Sequence, residues 1–255
     1  MKLHCAKAAA AGLLIVALAC GAAYGVTWET GLKLGMNSAK LTGDPVSAFV
    51  AGENGDLAGS VSDSRLGFIG GAYLKVNFND YFGVQAEVQY VQQGGEGPVS
   101  GTAIMERPNQ NPELAEFDGT LLLNLDYVEM PVLAVFSYKA DEQGRLRLHA
   151  FIGPTFAYCA SAEVQLKGEA KFDEPDTSHE IVAVDETRDA DTIIEDIQIG
   201  GVLGFSLSYA LGKVDLLLDA RWGRGLTTID NTTTGHDSYN SGIGIQAGVA
   251  IPFGR

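Results

Sequence analysis

The chain has 255 residues, 32 acidic against 17 basic side chains, and a formal net charge of −15. That balance argues against a nucleic-acid partner, because phosphate binding needs clustered Lys and Arg. At 46% hydrophobic residues the chain is too apolar to be disordered, yet no internal run reaches the ~18 apolar residues of a membrane helix. Only 19% of residues are charged, and 32 glycines are nearly double the usual ~7% share, which leaves one glycine-rich, β-leaning domain.

Residues 1–25 read as a secretory signal peptide. Lys2 and Lys7 lead into an apolar stretch from Ala8 to Ala19, and small residues follow. Ala23 and Gly25 take the −3 and −1 positions, which places cleavage before Val26. A buried N-terminal helix and a lipidated Cys20 are the alternatives, but Ala17-Leu18-Ala19-Cys20 lacks the Leu expected three residues before a lipobox cysteine. Processing removes two lysines and no acid, so the net charge moves from −15 to −17. Cys159 alone then remains, so the mature chain forms no internal disulfide.

From residue 26 to 255 the hydrophobic pattern repeats every second residue, the period of strands and not of helices. The first strand, 27–37, sets Trp28, Thr30, Leu32, Leu34 and Met36 against Glu29, Gly31, Lys33, Gly35 and Asn37. Others follow at 65–78 and at 82–93, where Phe82, Val84, Ala86, Val88 and Tyr90 alternate with Gly83, Gln85, Glu87 and Gln89. The next three are 121–138, 145–158 and 194–209; 214–226 and 242–253 complete eight. Each is long enough to cross a membrane when tilted. Links between them alternate strictly between short (79–81, 139–144, 210–213) and long (38–64, 94–120, 159–193, 227–241). The long links carry charges of −3, −4, −7 and −2, nearly the whole mature charge. The expectation is an all-β, eight-stranded antiparallel up-and-down transmembrane β-barrel with four long external loops.

Aromatics on the apolar parity fall at both strand ends. Trp28, Phe78, Phe82, Tyr209 and Phe253 lie toward the periplasmic ends; Phe68, Tyr90, Tyr158 and Trp222 lie toward the outer ends. Two such belts form the girdle of a lipid-facing surface. A soluble lipocalin-like barrel, the rival, would turn its apolar face inward and lack the one-ended loops.

Leu125-Asp126-Tyr127-Val128-Glu129-Met130-Pro131 resembles the strand-four signature of the porin-like outer-membrane β-barrel family common in Bacteroidetes-type bacteria. Gly153-Pro154-Thr155-Phe156, Asp196–Gly204 and Leu218–Leu226 are similar to its strand-five, six and seven motifs. The likeness spans essentially the whole mature chain, with one departure: Gly254-Arg255 follow Phe253, where such barrels usually end on the aromatic. The resemblance implies an outer-membrane location, with membrane lipid and the insertion machinery as partners. It implies no ligand, cofactor or catalytic residue.

Candidates for chemistry are sparse. His149, His179 and His236 form no paired ligand set, so no zinc site is expected. Gly242, Gly244 and Gly248 look faintly like a phosphate loop but lie inside a strand, where small lumen-facing residues explain them. Asp185, Asp189, Asp191 and Asp196 are spaced rather like a calcium loop, with Ala190 where the turn glycine belongs. A solvated acidic loop is the simpler account.

By parity, Glu29, Lys33, Arg65, Lys75, Glu87, Arg145, Arg147, Asp196, Asp215, Asp219 and Arg221 point into the lumen. Eight strands leave room only for side chains, so these charges should pair and plug it. On strand four, Leu121, Leu123, Leu125 and Tyr127 share the parity of Glu129. The leucines and Tyr127 are expected to face lipid, and a β-bulge near Tyr127–Val128, helped by Pro131, is expected to turn Glu129 inward. Glu129 and Arg221 are then expected in one ion-pair network with Asp219, Arg147, Lys33 and Glu87. Three functions follow. The first is a non-catalytic barrel with a plugged polar lumen, presenting acidic loops for structural or surface-binding roles. The others are a narrow porin or small-solute transporter, and a lipid-modifying hydrolase, for which His149 points the wrong way.

Overall fold

The computed structural model describes residues 26–43, 55–105, 113–173, 179–231 and 237–254; residues 1–25, expected as a signal peptide, and His236 lie outside them. Ten strands run in chain order: β1 (Thr27–Gly43), β2 (Gly55–Gly59), β3 (Arg65–Asn77), β4 (Phe82–Met105), β5 (Glu113–Lys139), β6 (Leu146–Asp173), β7 (His179–Asp189), β8 (Ile197–Leu211), β9 (Val214–Gly225) and β10 (Ser238–Phe253). Eight of them, β1-β3-β4-β5-β6-β8-β9-β10, pair antiparallel around a ring. It closes where β10 returns to β1 in an unbroken ladder from Trp28↔Phe253 to Gly43↔Ser238. A closed ring satisfies every wall backbone group without water, the condition for crossing a bilayer with strands.

Short turns hold one end. Asn79 Oδ1 accepts hydrogen bonds from the backbone N–H of Tyr81 and Phe82, both at 2.8 Å, and so sets the β3–β4 turn. Gly212, at φ 71°, supplies the left-handed residue for the two-residue β8–β9 connection.

At the other end the ladders run further than the alternation first indicates. β4, β5 and β6 continue well past residues 93, 121 and 158, into segments expected as loops. β2 pairs with outer β4 and β7 with outer β6, building a five-stranded sheet β2-β4-β5-β6-β7 beyond the barrel. Much of the external "loop" chain is therefore regular strand.

The expected facing of strand four is overturned. On β5 every odd residue from Ala115 to Val135 points inward, so Leu121, Leu123, Leu125 and Tyr127 are buried beside Glu129 on one unbroken parity. The β4–β5 register is continuous through this region, and β5 has no bulge. The irregularity lies across the ladder: Asp126 faces Ser161 and Tyr127 faces Cys159, so Ala160 of β6 is the extra residue. It switches the inward set of β6 from His149, Phe151 and Ala157 to Ala162, Ala170 and Phe172. The physical reason is the solvent outside. Where lipid surrounds the wall, Val128, Met130, Val132, Ala134 and Phe136 face out, and Glu129, Leu133 and Val135 face in. Where water surrounds it, Glu116, Asp118, Thr120 and Asn124 face out and leucines face in. The outward face changes from polar to apolar along the strand while the parity does not.

Candidate functional site

The lumen is filled in layers, each set by which inward positions of neighbouring strands share a row. Nearest the turns, Glu29 accepts from Tyr73 Oη at 2.7 Å and pairs with Lys75 Nζ at 3.4 Å. His149 stands between two serines, Nδ1 2.8 Å from Ser137 Oγ and Nε2 2.9 Å from Ser208 Oγ. Leu133, Val135, Phe151 and Val202 form a small apolar cluster nearby.

Next comes a buried ionic quartet. Lys33 Nζ reaches Glu87 Oε1 at 2.7 Å and Asp219 Oδ2 at 3.1 Å. Arg221 spans the same two acids, with Nη1 to Glu87 Oε2 at 2.8 Å and Nε to Asp219 Oδ1 at 2.9 Å. Two cations and two anions cancel, as a low-dielectric interior demands. Arg221 also lies over the Phe151 ring and Lys33 over the Tyr73 ring, each 5.3 Å from the centroid.

Above the quartet lies an amide layer. Gln89 Oε1 accepts from Arg221 Nη1 at 3.2 Å, and its Nε2 donates to Glu129 Oε2 at 3.0 Å. Gln93 donates to the other oxygen of Glu129. Asn240 Nδ2 donates to Tyr127 Oη at 3.2 Å and Gln198 Oε1 at 3.3 Å. These groups border a cavity of about 50 Å³ lined also by Asn37 and Thr155; a second, of about 20 Å³, lies below near Glu29 and His149. Over the amides sits an apolar core: Leu41, Val61, Val99, Phe117, Leu121, Leu123, Leu125, Phe172, Ile194 and Ile229, roofed by the sheet extension.

Of the six expected network residues, Lys33, Glu87, Asp219 and Arg221 come together directly. Glu129 points inward but meets Arg221 through Gln89, not by direct contact. Arg147 stays near the turns, its Nε donating to Gly144 O at 3.4 Å. Asp196 and Arg145 are exposed, contrary to the parity reading, because neither lies within a strand. Gln89, Gln93, Gln198, Tyr127 and Asn240 are site residues that the sequence does not mark as such: neutral amides carry no charge signal, and Tyr127 reads as lipid-facing. The four aspartates of the calcium-like spacing do not converge. Asp191 accepts from Ala162 N, Asp189 from Asp191 N, and Asp185 from Gln165.

The aromatic residues line both ends of the outer wall. Trp28 stacks on Phe253 at 6.5 Å, Phe82 lies 5.9 Å from Phe78 and 5.4 Å from Phe136, and Phe68 lies 6.4 Å from Tyr90. Tyr90, Tyr158, Tyr209 and Trp222 are exposed on the wall. Between the belts Leu32, Leu34, Met36, Ile245 and Leu218 stand more than half exposed, at 53–61%. In water this surface would be untenable; in a bilayer it is the required one.

A closed eight-stranded ring, apolar outside between aromatic belts and polar within, defines an outer-membrane β-barrel. Residues 24–231 match the family model described as the outer membrane protein beta-barrel domain, and the chain belongs to that family and to the outer membrane. A search of curated proteins finds no relative. Among solved structures, the chain is similar to the attachment invasion locus protein Ail of Yersinia pestis, at 13% identity and a TM-score of 0.37, over 88% of this chain and 99% of that one. It is similar also to OprG of Pseudomonas aeruginosa (10%, 0.37, 91% and 97%). The outer-membrane protease OmpT of Escherichia coli matches at 12% and 0.34, over 89% and 97%.

Proposed function

We propose that the protein is a non-catalytic outer-membrane barrel whose working surface is the acidic sheet outside the membrane. The observation that carries this reading is the double closure of the lumen, by the Lys33–Glu87–Asp219–Arg221 quartet and by the apolar core around Leu123 and Leu125. A solute channel, the alternative, needs a continuous wetted path, and the two lumen cavities of about 50 and 20 Å³ hold only a few waters each. A hydrolase acting on lipid needs its nucleophile and base near the headgroups; His149 and Ser208 lie buried toward the turns, with Ser137 half-buried beside them. The porin-like subtype and a Bacteroidetes-type origin belong to this proposal and rest on the Tyr127–Pro131 signature. So do contact of the girdle with outer-membrane lipid and delivery by the insertion machinery.

The extension is built to present charge. Glu116, Asp118, Glu163, Glu169 and Asp185 stand on its outer face, with Lys167 and Lys171 among them. Such a surface attracts cationic partners with a strong salt dependence. Cells displaying the protein should capture polylysine-coated beads at low ionic strength and release them as salt rises. Neutralising the five acids to Asn or Gln should abolish capture. Equal capture by the neutralised variant would end the surface-binding reading.

A further inference from the structure

We propose that Lys40, Ser241 and Arg224 form a binding site on the outer wall for a lipid of the outer leaflet whose headgroup carries two phosphates. The site rests on the outer-membrane location and is independent of the role proposed for the acidic sheet.

Basic residues are scarce in this chain, and the fold uses most of them elsewhere. Lys33, Lys75, Arg147 and Arg221 take inward positions on the wall strands. Lys139, Arg145 and Lys213 lie at the turns, and Lys167, Lys171 and Arg188 lie on the extension. Among the described residues, Lys40 and Arg224 are the basic side chains on the outward parity of the barrel wall. Both are exposed. The register joins them: Lys40 on β1 faces Ser241 on β10, and Ser241 faces Arg224 on β9. They stand two strands apart in one row, roughly 10 Å at the usual inter-strand spacing.

Their height is fixed by what surrounds them on the same face. One step toward the turns the row reads Ser38, Ile243 and Trp222, and Ile243 and Trp222 are exposed members of the lipid-facing surface. One step outward Thr42 faces Tyr239, with its Oγ1 donating to the Tyr239 carbonyl at 3.3 Å. The cations therefore stand at the line where the wall changes from apolar to polar, the level of lipid headgroups. Neither is paired with a carboxylate among the described residues. In so acidic a protein, two cations in one row at headgroup level with no carboxylate partner among the described residues are available to phosphate, with the Ser241 and Ser38 hydroxyls between and below them as further donors. The exposed Ile243 and Met36 beneath supply an apolar bed for acyl chains. The two-cation spacing selects a headgroup with two phosphates over one with a single phosphate.

The test uses the folded full-length mature chain in nanodiscs, with native mass spectrometry reading retained lipid. The probes are bisphosphorylated lipid A, its monophosphorylated form, and phosphatidylethanolamine. The wild type should retain the bisphosphorylated lipid preferentially. Lys40→Gln or Arg224→Gln should each lower that retention about fivefold, and the pair together should erase the preference. Lys40→Arg should restore binding, and Lys213→Gln, which removes the same charge at a turn, should leave it unchanged. Heat-modifiable gel migration confirms that each variant is folded. Equal retention of all three lipids, or an equal loss in Lys213→Gln, would overturn the site as general adsorption. Displacement of the lipid by millimolar inorganic phosphate would overturn the lipid assignment in favour of free phosphate.

Discussion

Arg221 on β9 and Glu87 on β4 meet across the lumen, Nη1 to Oε2 at 2.8 Å and Nη2 to Oε1 at 3.3 Å, a two-point contact between opposite walls. The planar guanidinium suits this geometry, because each of its donors finds a carboxylate or amide oxygen without leaving one orphaned. Breaking a buried pair by removing one member leaves an uncompensated charge in low dielectric. Arg221→Met alone or Glu87→Gln alone should therefore destabilise the barrel by about 3–5 kcal/mol. In urea titrations of folding into bilayers, the double variant should cost clearly less than the two single costs added. Additive costs would contradict direct pairing.

Glu129 depends on Arg221 through an amide. Gln89 accepts from Arg221 and donates to Glu129, so the coupling of those two charges should run through its side chain. A double-mutant cycle on Arg221 and Glu129 should show an interaction of about 0.5–1 kcal/mol that falls to near zero in a Gln89→Leu background. Unchanged coupling without Gln89 would show that the charges interact directly.

Facing can be tested on one pair of adjacent strands. Leu218 on β9 is 53% exposed on the lipid side, and Leu218→Arg should cost about 2–4 kcal/mol. Gln246 on β10 is 1% exposed on the lumen side, and neither end of its amide has a hydrogen-bond partner. An arginine there would be overpacked, because the neighbouring Asp219 is already engaged by Lys33 and Arg221. Gln246→Leu, by contrast, removes an unsatisfied buried amide and should be neutral or stabilising by up to about 1–2 kcal/mol. A large loss of stability in Gln246→Leu would show that the amide has partners after all.

Period-two alternation carried the eight wall strands, the short turns and the lumen direction of Lys33, Glu87, Asp219 and Arg221. It also contained the outer halves of the strands. Val164, Leu166, Ala170 and Phe172 alternate with Glu163, Gln165, Lys167, Glu169 and Lys171, but high charge made the segment look like a loop. The facing of Leu121–Tyr127 departs from the expected one for a related reason. A rule that sends apolar residues outward holds only while lipid lies outside; once the strand leaves the membrane the same residues belong inside. Nothing local to β5 marks that boundary. It becomes visible when Gln92 on β4 and Asp126 on β5 are seen to stand on the outward face and bond at 3.3 Å. The bridging role of Gln89 depends on which strands meet across the lumen, and one strand's pattern does not contain that.

The extension should be held by its own core. Phe117 is fully buried among Leu121, Ala170 and Phe172 outside the ionic quartet. Phe117→Ala should cost about 3–5 kcal/mol. That loss should expose residues 94–105, 113–124, 159–173 and 179–189 to protease, while the wall strands still insert and still migrate anomalously until boiled. Unaltered protease resistance would mean that the sheet is stabilised elsewhere.

Planar-bilayer conductance of the folded wild-type chain tests most directly the claim that the lumen is closed at two levels. With insertion confirmed in the same preparation, the quartet and the apolar core should leave no open-channel current above the bilayer background, at any polarity. Stable ohmic steps whose size scales with salt concentration would contradict closure and return the protein to the solute channels.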